Sequence, residues 1–75
     1  MRVFVNGKAL NANPGQTVLD AVRAFDAVEA DGVAAGTRAV TDSRGLPVAP
    51  GTPVTGGTVL RIVSARALRA NEDEA

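Results

Sequence analysis

A short apolar run lies near the start of the chain, before a segment whose apolar residues have helical spacing. Residues 2–5 are mostly β-branched or aromatic, and Asn6-Gly7 follows them directly. This pair favours a type I′ turn, because both central positions of that turn need a positive φ. We therefore predict a β-hairpin whose second, shorter strand begins at Lys8 and stops before Asn13-Pro14-Gly15.

The segment after this hairpin carries the pattern of an amphipathic helix. Thr17 fits an N-cap, with Asp20 three residues later, and the apolar residues that follow return to one helical face. Residues 18–27 are therefore predicted to form a single helix that lies on a sheet. No element is predicted for residues 28–36, where Gly32 and Gly36 favour turns.

The second half of the chain predicts three more strands. Residues 37–41 form one, and Asp42-Ser43-Arg44-Gly45 has the signature of a type I turn followed by a left-handed glycine. Residues 46–48 are predicted to return as a very short strand, which Pro47 confines to an edge or a bulge. After a Gly56-Gly57 turn, residues 58–64 give the strongest strand pattern, expected at the centre of the sheet.

The predicted order is β, β, α, β, β, β. The first and last strands are the most apolar, so we expect them to be parallel neighbours, with the helix in the crossover between them. The fold class is therefore α+β, a ubiquitin-like β-grasp with a mixed sheet of four to five strands packed on one helix. This domain is assigned to residues 1–65, and residues 66–75 are assigned to a charged C-terminal tail.

Composition excludes several kinds of chemistry. The 75 residues include neither cysteine nor histidine, which removes thiolate nucleophiles, zinc–sulfur sites, iron–sulfur clusters and any Ser-His-Asp triad. We therefore expect a protein that is not an enzyme and has no metal or cofactor. No apolar stretch is long enough to span a bilayer and no signal peptide is evident, so we expect a soluble, cytoplasmic protein without membrane contact.

Four stretches of the sequence resemble the small sulfur-carrier proteins of thiamine and molybdopterin biosynthesis. They are Val3-Phe-Val-Asn-Gly, Gly15-Gln-Thr-Val-Leu-Asp-Ala-Val, the strand-turn-strand at 37–48 and Pro53-Val-Thr-Gly-Gly-Thr-Val-Leu-Arg-Ile-Val. The resemblance covers residues 1–65. In that family the final strand leads to a Gly-Gly whose carboxylate is adenylated and converted to a thiocarboxylate. Residues 58–75 contain no glycine, so the resemblance implies the family's fold without this chemistry.

The leading hypothesis is a non-catalytic, sulfur-carrier-like domain that acts by contact with a protein partner. The basic and acidic residues balance to zero net charge, but arginines outnumber acids from residue 38 to residue 69. The candidate partner surface comprises residues expected on the helix-free face of the sheet and the basic residues near it: Arg38, Val59, Arg61, Val63, Arg66 and Arg69.

Three other interpretations remain open. In the first, the chain is an atypical sulfur carrier in thiamine, molybdopterin or cysteine biosynthesis. In the second, it is a small module that binds anions or nucleic acid through its arginines. Nucleic acid is disfavoured because the chain has two phenylalanines and no tryptophan or tyrosine for base stacking. Self-association is the third, because an exposed edge strand can pair with its copy.

Overall fold

The computed structural model describes residues 1–66. Most of the predicted tail, including Arg69, lies outside the described residues. The described chain forms six elements: β1 (Arg2–Val5), β2 (Lys8–Asn11), α1 (Val18–Phe25), α2 (Ala27–Ala35), β3 (Arg38–Thr41) and β4 (Val59–Ser64). Neither helix has the length and apolar character needed to cross a membrane.

The four strands form one mixed sheet in the order β2-β1-β4-β3. The central pair, β1 and β4, is parallel, and each outer strand is antiparallel to its neighbour. This confirms the predicted α+β class and the central position of the first and last strands. The predicted Asn6-Gly7 hairpin is also confirmed, with φ of 51° at Asn6 and 82° at Gly7.

The prediction of a strand at residues 46–48 was wrong. These residues run back along β3, and Val48 N–H donates to the Val40 carbonyl at 2.9 Å. Asp42 N–H also donates to the Leu46 carbonyl at 2.9 Å, and the two bonds together form only an isolated bridge between Thr41 and Pro47. Proline has no N–H to donate to a ladder, which prevents a regular strand at this position.

The prediction of a single helix was also wrong, because the chain breaks at Asp26 and starts a second helix. Asp26 has extended backbone angles, with φ −162° and ψ 118°, and its side chain accepts a hydrogen bond from Val28 N–H at 2.8 Å. Asp26 therefore ends α1 and caps α2. The predicted turn at Gly36 is confirmed, since this residue ends α2 with φ 85°, whereas Gly32 lies inside the helix.

The core lies between the two helices and one face of the sheet. Its largest fully buried side chains come from β1, β4 and α1: Val3, Val5, Leu60, Val18 and Val22. Ala30 of α2 and Val40 of β3 extend the same cluster. Within residues 1–66, neither helix lies on the opposite face of the sheet, which carries the candidate site, although Thr41 at the end of β3 is buried on that side.

Candidate functional site

The alternation along β4 separates a buried face from an exposed one. Leu60 is 1% exposed, whereas Val59, one residue earlier, is 39% exposed. Arg61 is exposed and Val63 is half-buried. Since successive side chains of a strand point to opposite faces, Val59, Arg61 and Val63 share the side away from the helices. The structure thus brings these three predicted surface residues together.

Strand register places further residues around them. Phe4 of β1 lies beside Val59 on one side and Ala9 on the other, and Val63 lies opposite Ala39. We use the name exposed sheet face for the set of surface residues on this side: Arg2, Phe4, Ala9, Asn11, Ala39, Val59, Arg61 and Val63.

Phe4 is the residue that the sequence analysis missed. It is half-buried at the centre of the exposed sheet face, while its neighbours Val3 and Val5 are fully buried on the other side. The alternation from Arg2 to Val5 is the signal that would have found it, because a strand with Val3 and Val5 inside must turn Phe4 outward. Phe25, the other aromatic residue, packs against the core.

The cations of the exposed sheet face are not neutralised by the described residues. Arg2 and Arg61 are both exposed, and neither forms an ion pair with any group in residues 1–66. Three other arginines are paired: Arg23 with Asp31 at 3.8 Å, Arg38 with Glu29 at 3.7 Å and Arg44 with Asp42 at 3.1 Å. Within the described part of the chain, this face therefore carries two arginines that have no ion-pair partner.

Arg38 does not belong to the exposed sheet face. It lies opposite Ser64 in the register, on the same side of β3 as the buried Val40, and its guanidinium contacts Glu29 of α2. The predicted grouping of Arg38 with Arg61 is therefore not formed, because the register sets the two side chains on opposite faces. Arg66 is exposed just beyond β4.

A shallow concavity adjoins the exposed sheet face where β1 turns away from β4. At this point Ile62 N–H donates to the Asn6 side-chain carbonyl at 2.9 Å, so the side chain replaces a backbone acceptor that β1 no longer supplies. The concavity has a volume of about 440 Å³ and is lined by Asn6, Gly7, Val59, Leu60, Arg61, Ile62 and Val63.

The Gly56-Gly57 pair forms the predicted turn. Gly57 has φ 86°, its N–H donates to the Arg2 carbonyl at 2.8 Å, and Thr58 N–H donates to the Thr55 carbonyl at 3.1 Å. The pair is therefore tied to β1 at the entrance to β4. It is a turn held against the end of the sheet, not a projecting tip.

The Asp42–Gly45 loop is explained by its own turn chemistry. Gly45 has φ 84° and its N–H donates to the Asp42 carbonyl at 3.0 Å, as the sequence predicted. The Asp42 carboxylate accepts hydrogen bonds from the N–H groups of Leu46 and Arg44, and these bonds, led by that from Leu46, lower its pKa. Within residues 1–66, no group of three or more acidic side chains is placed to hold a metal ion.

No protein-family model, curated protein or solved structure matches this chain. The likeness to sulfur carriers therefore rests on the sequence motifs alone. Function has to be argued from the chemistry of the exposed sheet face.

Proposed function

We propose that this chain is a β-grasp domain of the sulfur-carrier type that acts without catalysis, by binding a protein partner through its exposed sheet face. The central parallel pair of strands and the helices on one side of the sheet support the β-grasp assignment. The second helix and the absence of a regular strand at residues 46–48 are local variations on that plan.

The observation that carries the proposal is a half-buried aromatic ring at the centre of a helix-free sheet face. Phe4 has Val59 beside it and Val63 further along β4, and Arg61 stands between those two valines on the same side. Aromatic residues and arginine are enriched in protein interfaces and among the residues that dominate binding energy. An apolar strip flanked by arginines is typical of a contact surface.

Site-specific photo-crosslinking tests this proposal. A photoreactive amino acid replaces Val59 on the exposed sheet face or, as the matched control, Val28, which is 76% exposed on α2. We expect a discrete crosslinked partner from position 59 and none from position 28, with Phe4→Ala reducing the yield at 59. Crosslinks from both positions alike, or from position 28 alone, would contradict the proposal.

A sulfur-carrier function is the second candidate, favoured by the same strand order. Against it, residues 58–75 contain no glycine, and the Gly56-Gly57 pair is held in a turn by hydrogen bonds. Glycine suits a carrier tip because a chain without side chains enters a narrow channel at little steric cost. Incubation with a carrier-adenylating enzyme and ATP should give no acyl-adenylate by mass spectrometry, and detection of that adduct would favour the carrier function.

Anion binding is the third candidate, favoured by Arg2, Arg61 and Arg66, which form no ion pair with any group in residues 1–66. Binding through phosphate contacts weakens steeply with salt concentration. A filter-binding assay with single-stranded RNA at low and moderate salt separates this function from protein contact. We expect no retention at moderate salt.

A further inference from the structure

We infer that the exposed sheet face accepts an extended acidic protein segment with the pattern acid–x–apolar–x–acid. This inference rests on the proposed function and names the chemistry of the partner. Three observations carry it: the spacing of the two cations, the apolar pair between them, and the location of every acidic residue that the structure describes.

The first observation is the spacing of Arg2 and Arg61 along the two central strands. Phe4 and Val59 are register partners in the parallel pair, with Arg2 two residues before Phe4 and Arg61 two residues after Val59. The two cations therefore stand four strand positions apart, about 13 Å at the usual rise per residue. The second observation is that the apolar pair, Phe4 and Val59, lies midway between these two arginines.

An extended peptide has the same repeat. Its side chains on one side recur every second residue, so residues i, i+2 and i+4 face the same surface over about 13 Å. A segment laid along β1 and β4 with acidic residues at i and i+4 meets both arginines at once. Its residue at i+2 then meets Phe4 and Val59, so we expect an apolar side chain at that position.

The third observation is that each acidic residue within residues 1–66 is engaged elsewhere in the fold. Asp20 and Asp26 cap the two helices. Glu29 and Asp31 pair with Arg38 and Arg23, and Asp42 pairs with Arg44 in its loop. None of these carboxylates lies on the exposed sheet face, so charge complementarity favours an acidic ligand supplied from outside the described residues.

The chain's own acidic stretch does not have the inferred pattern. Glu72, Asp73 and Glu74 are consecutive, so in an extended segment they alternate between two sides and carry no apolar residue between them. We therefore assign the face to a segment of a partner protein. The variant E72Q/D73N/E74Q should bind the peptide Ser-Glu-Ser-Leu-Ser-Glu-Ser within about twofold of the wild type at about 0.15 M ionic strength, because salt at that concentration largely screens exposed charges that do not contact the peptide. A larger gain in affinity would show that these acids occupy the face in the free protein and would overturn the assignment.

The test is a titration of the full-length, isotope-labelled protein with two synthetic peptides of equal composition, followed by NMR. One peptide, Ser-Glu-Ser-Leu-Ser-Glu-Ser, has the pattern, and its permutation Ser-Glu-Glu-Leu-Ser-Ser-Ser does not. We expect the patterned peptide to bind more tightly and to shift the amide signals of Phe4, Val59 and Arg61. Equal affinity for the two peptides, or shifts confined to the helices, would overturn the inference.

Two variants check the role of charge. Arg61→Gln should weaken binding of the patterned peptide about two- to fivefold, the effect of losing one exposed ion pair. Arg44→Gln removes a cation that is also exposed but already pairs with Asp42, so it should leave the affinity unchanged. Equal losses in the two variants would show attraction to net charge alone, and a single-stranded oligonucleotide binding more tightly than the peptide would show a nucleic-acid surface. Either result overturns the inference.

Failure of this inference can be told apart from failure of the proposed function. If position 59 crosslinks to a partner through a segment without acidic residues, the exposed sheet face is an interface and only the acidic pattern is wrong. If position 59 gives no crosslink above position 28, the proposed function itself fails.

Discussion

The two faces of the sheet are built from alternate residues of the same strands and have opposite roles. Val3, Val5 and Leu60 face the helices and are at most 1% exposed, whereas Phe4 and Val59, their sequence neighbours, face away from them. Both sets are apolar, so composition does not distinguish them. Burial by the helices, not hydrophobicity, therefore decides which of these residues stabilise the fold and which remain available for contact.

The largest expected effect comes from a substitution on the buried face of β4, which is compared with the same substitution at the adjacent residue on the exposed face. Leu60→Ala removes a fully buried side chain and should lower the free energy of unfolding by about 2–5 kcal/mol. A domain of this size rarely has more than about 3–5 kcal/mol of stability, so this variant should be largely unfolded. Urea unfolding followed by far-UV circular dichroism measures the change.

Val59→Ala is the matched control for this comparison. Its side chain is 39% exposed on the other face, and we expect a loss below about 1 kcal/mol, close to the range of surface substitutions. If Val59→Ala destabilised the protein as much as Leu60→Ala, the exposed sheet face would itself be part of a core, and its proposed role in partner binding would fail.

Asn6 tests the end of the contact between β1 and β4, where its side chain accepts a hydrogen bond from Ile62 N–H. Asn6→Ala removes the acceptor of Ile62 N–H and places an alanine at φ 51°, so we expect a loss of about 1–2 kcal/mol. Asn6→Asp keeps an acceptor oxygen and a residue type that tolerates this conformation, and should cost less. Asn11→Ala, in the regular part of β2, should change stability by less than about 0.5 kcal/mol. Equal effects at positions 6 and 11 would contradict the role assigned to the Asn6 side chain.

Thr17 tests the helix that covers the buried face. Asp20 N–H donates to the Thr17 hydroxyl at 3.3 Å, and Thr17 N–H donates to the Asp20 carboxylate at 2.9 Å. Thr17→Ala removes one half of this capping box and should lower the free energy of unfolding by about 1 kcal/mol, while Thr17→Ser should lower it much less. Thermal unfolding measures both. Amide signals of Phe4 and Val59 should stay in place, since α1 does not contact their face.

The elements that sequence predicts well are those specified by local chemistry. The Asn6-Gly7 turn, the Thr17 cap and the turn at Gly45 each depend on residues within a few positions of one another, and each is confirmed. The helix break at Asp26 was missed because the apolar spacing up to Phe25 gives no sign of it. The same aspartate also serves as an N-cap, which is visible only once α2 is known to follow.

The elements that sequence predicts poorly depend on packing between distant segments. Helix α2 has one fully buried residue, Ala30, so it lacks the apolar stripe that marks a helix in a sequence. Gly32 lies inside this helix, at a position where a larger residue does not fit: a β-carbon there would come within 2.7 Å of the Arg38 side chain on β3. That close approach is a tertiary fact with no local signal.

The candidate site divides in the same way. Val59, Arg61 and Val63 share a face because alternation within one strand requires it, and sequence alone was sufficient. Arg38 was misplaced because its face depends on the register between β3 and β4, and a shift of one residue exchanges the two faces. Phe4 was overlooked although alternation within β1 indicates it.

The smallest expected effect contrasts Arg44, which pairs with Asp42, with Arg61, which has no ion-pair partner among residues 1–66. The Leu46 N–H, followed by the Arg44 side chain and N–H, lowers the pKa of Asp42 below its ordinary value of 3.8. A lowered pKa in the folded state stabilises the protein at pH values above the unfolded pKa, and this contribution is lost as the pH falls through the folded pKa.

Asp42→Asn keeps an oxygen acceptor and loses the charge. The stability of this variant should therefore fall less than that of the wild type between about pH 4 and pH 2, below the ordinary range of aspartate. Urea unfolding at each pH gives the difference between the two proteins, from which the titration of the other carboxylates cancels. Arg61→Gln should leave the acid dependence of the wild type unchanged, and a shift as large as that of Asp42→Asn would mean that Arg61 has a carboxylate partner within the free chain.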